Sequence, residues 1–307
     1  MIKYTFPIIL LALFFSSCDG SFFETTLEVD PPLHTPEITV HSFIKPGDSV
    51  IGVSVGKSFG LLETVSYNEY EEQFLKGATV EIFQQGALKY TLIPFEDLDP
   101  NPGNFLPLNY GLELDEPIGG IGDSFEIKVK HPDFEAVTSV QYMPAPVQVT
   151  RAKFIEDGGI GEGADRLNSI DITFTDPAGI ENYYEIWVAY KENGTSGETY
   201  FNSIYMGSND PILRRGGEGD RYLFRDRTID GKEYIINLQL DDEFSDNMVV
   251  VFRSVTEDWF LYARSFYNFS QAGEFGPFSE PVTVHRNIDG GLGVFAAGVE
   301  VVLDLEE

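Results

Sequence analysis

The chain has 307 residues, 42% hydrophobic and 14% aromatic, which suffices for one to three packed cores and excludes a disordered chain. Its formal charge of −30 repels phosphate backbones and excludes nucleic acid as a partner. One cysteine excludes a disulfide within a single molecule, so packing must hold the fold.

The chain opens with Lys3, an apolar run from Phe6 to Phe15, then Ser16, Ser17 and Cys18. An apolar run of roughly 7 to 15 residues before small residues marks a secretory signal, whereas a membrane-spanning helix needs about 20. Residues 1–17 are therefore expected to be a signal peptide. The two serines before Cys18 resemble the lipobox of bacterial lipoproteins, although Phe15 stands where that box prefers Leu or a smaller aliphatic residue. The resemblance implies that the Cys18 thiol takes a diacylglycerol, that the chain is cut before it, and that the new amino terminus is acylated, as with palmitate. Anionic headgroups repel so acidic a body, so acyl chains must provide the hold on the membrane. Each buried methylene contributes about 0.8 kcal/mol, and two or more chains anchor stably.

Residues 18–36 are polar, end in Pro31-Pro32 and show no strand or helix period, so they are expected to form a lipid-anchored tether. From Glu37 the period becomes two. Ile38 and Val40, then Ile51, Val53 and Val55, then Ala78, Val80 and Ile82, then Phe125, Ile127 and Val129 each alternate with polar or small residues. Turn formers separate them at Lys45–Asp48, Gln84–Gly86 and Gly119–Asp123. Residues 37–145 thus read as an antiparallel β-sandwich, with a short helix carrying Tyr67, Tyr70 and Phe74 between two strands.

Pro144-Ala145-Pro146 stiffens the chain where one strand run ends, and residues 146–307 read as a second β-sandwich-like domain. Its clearest strands are Ser169–Thr175, Tyr183–Tyr190, Glu198–Tyr205, Glu233–Leu240 and Met248–Val255. The spacing resembles immunoglobulin-like and fibronectin-III-like domains. One helix is expected near 256–270, opened by a capping box of Ser254 and Glu257 and carrying the stripe Trp259, Tyr262, Ala263 and Phe266. Such a stripe packs on a sheet more often than it meets a ligand. The fold class expected is therefore mainly β, two antiparallel sandwiches with one inserted helix.

The segment Ser254, Trp259, Tyr262 and Ser265, then Phe278–Val282, then Asn287–Phe295 resembles the carboxy-terminal signature of the domain-of-unknown-function family 4249. Lys76–Val80 and Phe224–Asp226 extend the resemblance over nearly the whole chain. The resemblance implies a lipoprotein of Bacteroidota-type bacteria, at the outer membrane, beside a TonB-dependent receptor, with no assigned reaction. The residues of the closing motif also have a reading of their own. Asp289-Gly290-Gly291 suits a tight turn with positive φ, Gly293 permits close approach, and Leu292, Val294 and Phe295 begin a final strand. A nest of glycine amides that binds an anion is the sharper alternative.

Catalytic signals are weak. Asp97–Gly103 alternates oxygen ligands as calcium loops do, but Pro102 and Leu108 occupy the places of the required Gly and Glu. His34, His41, His131 and His285 lack zinc spacing, and Asp241–Glu243 with Asp246 reads as a solvated connection. Neither enzyme activity nor a cofactor is expected. Trp187 and Trp259 are candidates for stacking on a glycan, and Trp187 becomes a ligand-binding residue if one face of its strand is open. The expected function is that of a non-enzymatic accessory of a TonB-dependent receptor. The alternative is a module that captures a glycan or a metal complex.

Overall fold

The computed structural model describes residues 34–60, 71–95, 108–161, 166–194, 199–217, 219–274 and 282–306. Cys18, most of the tether, Tyr67, Tyr70 and Asp97–Gly103 lie outside them. Pro36–Ser58 and Val65–Glu307 form one unit, to which every element below belongs; Met1–Thr35 and Phe59–Thr64 belong to a second.

The fold is mainly β and sandwich-like. The first half contributes β1 (Ile38–Ile44), β2 (Val50–Lys57), β3 (Thr79–Gln84), β4 (Ala87–Pro94), β5 (Tyr110–Glu113), β6 (Ser124–His131) and β7 (Phe134–Tyr142). Period-two strands bury one face, and the inward residues Val40, Val53, Val80, Ile82, Phe125 and Val129 are fully enclosed in a single core. Each such side chain contributes on the order of 1.5–3 kcal/mol through burial. The β3–β4 hairpin turns through Gln85 and Gly86, both at positive φ, as a two-residue turn matched to strand twist requires.

The second half contributes β8 (Gln148–Ile160), β9 (Arg166–Thr175), β10 (Tyr183–Asn193), β11 (Thr199–Ser203), β12 (Arg214–Gly216), β13 (Arg221–Arg225), β14 (Glu233–Leu240) and β15 (Met248–Val255). Helix α1 (Glu257–Glu274) and strand β16 (Leu292–Asp304) are the last two elements among the described residues. β14, β9 and β8 form a three-stranded sheet that faces β10 and β15 across a second core, where Phe174, Tyr184, Phe224 and Phe252 meet mostly edge-on or tilted.

All remaining strands join one sheet, in the order β12-β13-β10-β15-β16-β1-β2-β5-β4-β3-β6-β7, with β11 beside β10. β16 makes this continuity. It pairs antiparallel with β15 on one side and parallel with β1 on the other, sending Phe295, Ala297 and Val299 into the first core. Gly293 lies at φ +104°, where a Cβ would run into the Val40 carbonyl, so only glycine lets the two backbones approach. Just before β16, Asp289 exchanges backbone hydrogen bonds with Thr138 of β7, which brings the far end of the first half back to the same seam. After β16, Glu306 exchanges two backbone bonds with β8, through Ala152 and Phe154.

The helix begins later than the capping box implies. Ser254 is paired inside β15, opposite Tyr184 and Val299, and its buried hydroxyl has no hydrogen-bond partner. The sheet register holds it extended, and Thr256 becomes the residue whose carbonyl accepts the first helical bond, from the Phe260 amide at 3.1 Å. Glu257 and Asp258 then fill the first turn, where the helix dipole favours carboxylates.

Candidate functional site

Helix α1 lies on the outer face of the sheet at the seam between the halves. Its residues Tyr262 and Phe266 stack at 5.9 Å and Trp259 meets Tyr262 at 5.9 Å, which aligns the three rings along one side of the helix. Opposite them, β1 presents His41 and Phe43, and β2 presents Ser54, the cross-strand partner of His41. Phe43 meets the Trp259 ring edge-on at 4.8 Å, and His41 lies 5.8 Å from Tyr262. A cavity of about 110 Å³ remains between helix and strands. Ser42, Ala263, Leu108, Gly217 and Glu185 complete its lining.

Desolvation sets the electrostatics of this cavity. Burial holds the His41 imidazole down to about 4, so it is neutral at physiological pH. Burial also pushes the Tyr262 phenol up to about 12. The Ser54 residue is 4% exposed.

Beside the cavity runs a row of alternating charges. Glu185 of β10, Arg253 of β15 and Glu300 of β16 are direct cross-strand neighbours on one sheet face. Arg221 lies 3.5 Å from Glu185, Arg253 bonds Glu185 at 2.6 Å and also pairs with Glu300, and Glu300 meets Lys45 at 2.6 Å. Burial works against the Arg253 charge, but Glu185 and Glu300 more than offset it and raise its pKa. Burial alone would raise the Glu300 carboxyl; Arg253 and Lys45 bring it down to about 2. Trp259 donates its indole N–H to Glu185 at 3.2 Å, so helix and charge row are tied together.

Trp187 sits inside this arrangement and is 3% exposed. The guanidiniums of Arg221 and Arg253 lie 4.4 and 4.7 Å from its ring, and both faces of β10 are covered over Tyr183–Ala189. It is therefore a packed residue and not an open platform for a sugar. The glycan reading loses the support expected of it.

The histidines stay apart. His285 pairs with Asp258 at 2.7 Å on α1, and His131 accepts from the Asp133 amide. Asp242 accepts a hydrogen bond from Tyr190, so that acidic loop is tied to β10. Among the described residues, one group could hold a cation: oxygens of Asp176, Asp226 and Asp230 lie within 4.8 Å of one another. These carboxylates are already engaged with the Tyr184 hydroxyl, the Asn182 and Gly231 amides and the Gly179 amide, which knits two turns together. Burial raises the Asp226 pKa.

The cavity and the charge row were not singled out by spacing, because β1, β2, β10, β15, β16 and α1 supply them from distant parts of the chain. A signal for the row does exist. Glu185, Arg253 and Glu300 are isolated charges within otherwise apolar strand runs, and a charge so placed needs partners.

The family described as Domain of unknown function (DUF4249) matches residues 24–302, and the chain belongs to it. No curated protein matches this chain. Among the described residues, no helix is long and apolar enough to cross a membrane.

Proposed function

We propose that this chain is a lipid-anchored protein of the outer membrane that acts as a non-enzymatic accessory of a TonB-dependent receptor. The observation that carries this reading is the leader ending in Ser16-Ser17-Cys18, where a diacylated thiol would fix an acidic body at a membrane it otherwise avoids. The resemblance through the Asn287–Phe295 motif supplies the receptor as the partner class. Anchoring raises effective concentration towards the millimolar range, so a weak interface suffices. The experiment is expression of the full chain with its leader, palmitate labelling, and mild detergent extraction of outer membranes. Labelling that is lost in Cys18→Ser, together with co-purification of a receptor, is the expected result. An unlabelled chain, or a lipoprotein recovered alone, overturns it.

The cavity beneath α1 favours a second reading, capture of a small ligand. Its support comes from His41, Ser54 and Tyr262 and owes nothing to Trp187.

A further inference from the structure

A strand that ends a sheet presents unpaired N–H and C=O groups to any extended chain, and folded proteins cover or blunt such edges. Here β7, β8, β12 and β14 are each provided for. Thr138 of β7 exchanges backbone bonds with Asp289, and Gln239 of β14 does so with Gly207. Ala152 and Phe154 of β8 pair with Glu306, and β8 is bulged beyond Ile155. β12 spans only Arg214–Gly216, and the next amide, that of Gly217, donates to Ala263 of α1.

β11 is the exception. Its register on β10, with the Ile204 amide donating to the Val188 carbonyl at 2.9 Å, turns the N–H and C=O of Tyr200 and Asn202 towards β10. The N–H and C=O of Thr199, Phe201 and Ser203 therefore point away from the sheet, and none has a backbone partner among the described residues. The strand, Thr-Tyr-Phe-Asn-Ser, carries no charge, proline, glycine or bulge that would discourage pairing. Tyr200 within it and Tyr205 just past it are 43% and 77% exposed, and exposed tyrosines are the commonest kind of interface anchor.

Charge selects the occupant. Glu192 is the cross-strand neighbour of Tyr200. On the far side of β10 the Lys191 amide donates to Asn247 and the Tyr190 hydroxyl donates to Asp242, so the loop 241–247 borders the same end of β10. Glu192, Asp241, Glu243 and Asp246 are exposed, and Lys191 is the only cation in β10, β11 or that loop. Neighbouring strands lie about 4.8 Å apart, which brings Glu192 within roughly 10 Å of a chain added to β11, close to the Debye length at physiological salt. A second copy of this chain, at a formal charge of −30, is repelled from such an edge; a cationic segment is drawn to it.

We infer that β11 is a docking edge for an extended, lysine- or arginine-rich segment of another protein, which adds to the sheet as one further strand. Its backbone pairs with Thr199, Phe201 and Ser203, and its basic side chains lie on the face that carries Tyr200 and Glu192. The inference is independent of lipid attachment, of the receptor and of the cavity beneath α1.

The test is titration of the purified full chain with a capped heptapeptide that alternates lysine and valine, followed by calorimetry and by amide hydrogen exchange. The expected result is saturable 1:1 binding that weakens roughly tenfold between about 50 and 300 mM salt, with slowed exchange confined to β11. The same peptide with glutamate for lysine binds at least about tenfold more weakly, as does one with proline for valine, which keeps the charge and loses the ladder. Thr199→Pro and Ser203→Pro alter outward-facing amides, where an edge strand tolerates proline, and each is expected to weaken binding roughly tenfold. Glu192→Gln leaves every strand amide in place, so it remains decisive if a proline variant fails to fold; it is expected to weaken binding severalfold and to flatten the salt dependence. Equal binding of the proline peptide, protection away from β11, or unchanged affinity in the folded variants overturns the inference. Protection of β11 that rises with protein concentration in the absence of peptide overturns it in favour of a second copy. Failure of the lysine–valine peptide to bind overturns it outright, and leaves palmitate labelling and receptor co-purification unaffected.

Discussion

Two groups near the seam respond to acid in opposite directions. His41 titrates at about 4 in the fold against 6.5 for an ordinary histidine, so the stability it allows is complete above pH 6.5 and falls as pH drops towards 4. Asp48 is the reverse. Burial pushes its carboxyl up to about 6, against opposition from Lys45, so its stabilising contribution is complete below 3.8 and is lost as pH rises through about 6. The two largely offset each other between pH 4 and 6.5. Asp48→Asn keeps an oxygen for the Lys45 amide and removes the titration, so it should stabilise the fold at pH 7.5 by about 1–2 kcal/mol. The same variant should weaken steadily below pH 6.5, in urea unfolding measured from pH 4.5 to 7.5, because His41 then acts alone. Arg253 carries a larger effect. Arg253→Met leaves Glu185 and Glu300 enclosed on either side of β15 without their shared cation, and should lower unfolding free energy by about 3–5 kcal/mol in the same assay.

The strands legible in the sequence were those whose apolar residues either alternate with polar ones, as in Ile38–Ile44, or run unbroken between turn formers, as in Met248–Val255, which is buried on both faces. Glu233–Leu240 and Met248–Val255 form with the bounds their patterns imply, and the final strand begins at Leu292 after the turn that Gly290 and Gly291 suggest. β13 was hidden because five residues with an arginine at each end show no alternation, and β4 because most of its side chains are exposed on both faces. The helix was legible through its aromatic stripe, but its start was set by sheet pairing at Ser254, which no local pattern encodes. The cavity was illegible for a deeper reason: His41, Ser54 and Tyr262 meet only through the β1–β16 and β1–β2 registers. Gly293 is the position on which that seam depends. Gly293→Ala combines a strained positive φ with a clash against Val40, and should reduce stability by about 2–4 kcal/mol in thermal or urea unfolding.

At the scale of the molecule, β16 contributes side chains to the first core while extending the sheet that covers the second, and the charge row crosses from β13 to the end of β1. The halves should therefore unfold together. Tryptophan fluorescence reports the second half through Trp187 and the seam through Trp259, which packs on Phe43 of β1, whereas far-ultraviolet dichroism reports all strands. Coincident urea transitions are expected from the two probes, and separated midpoints would show that each sandwich stands alone.

The parallel pairing of β1 with β16 also constrains when the fold can finish. Partners roughly 250 residues apart impose a long wait, because that closure has a high entropic barrier and cannot begin before residue 292 has left the ribosome. For a chain exported as its leader proposes, the delay is useful: the polypeptide stays threadable through a narrow translocation pore for almost the full duration of its synthesis.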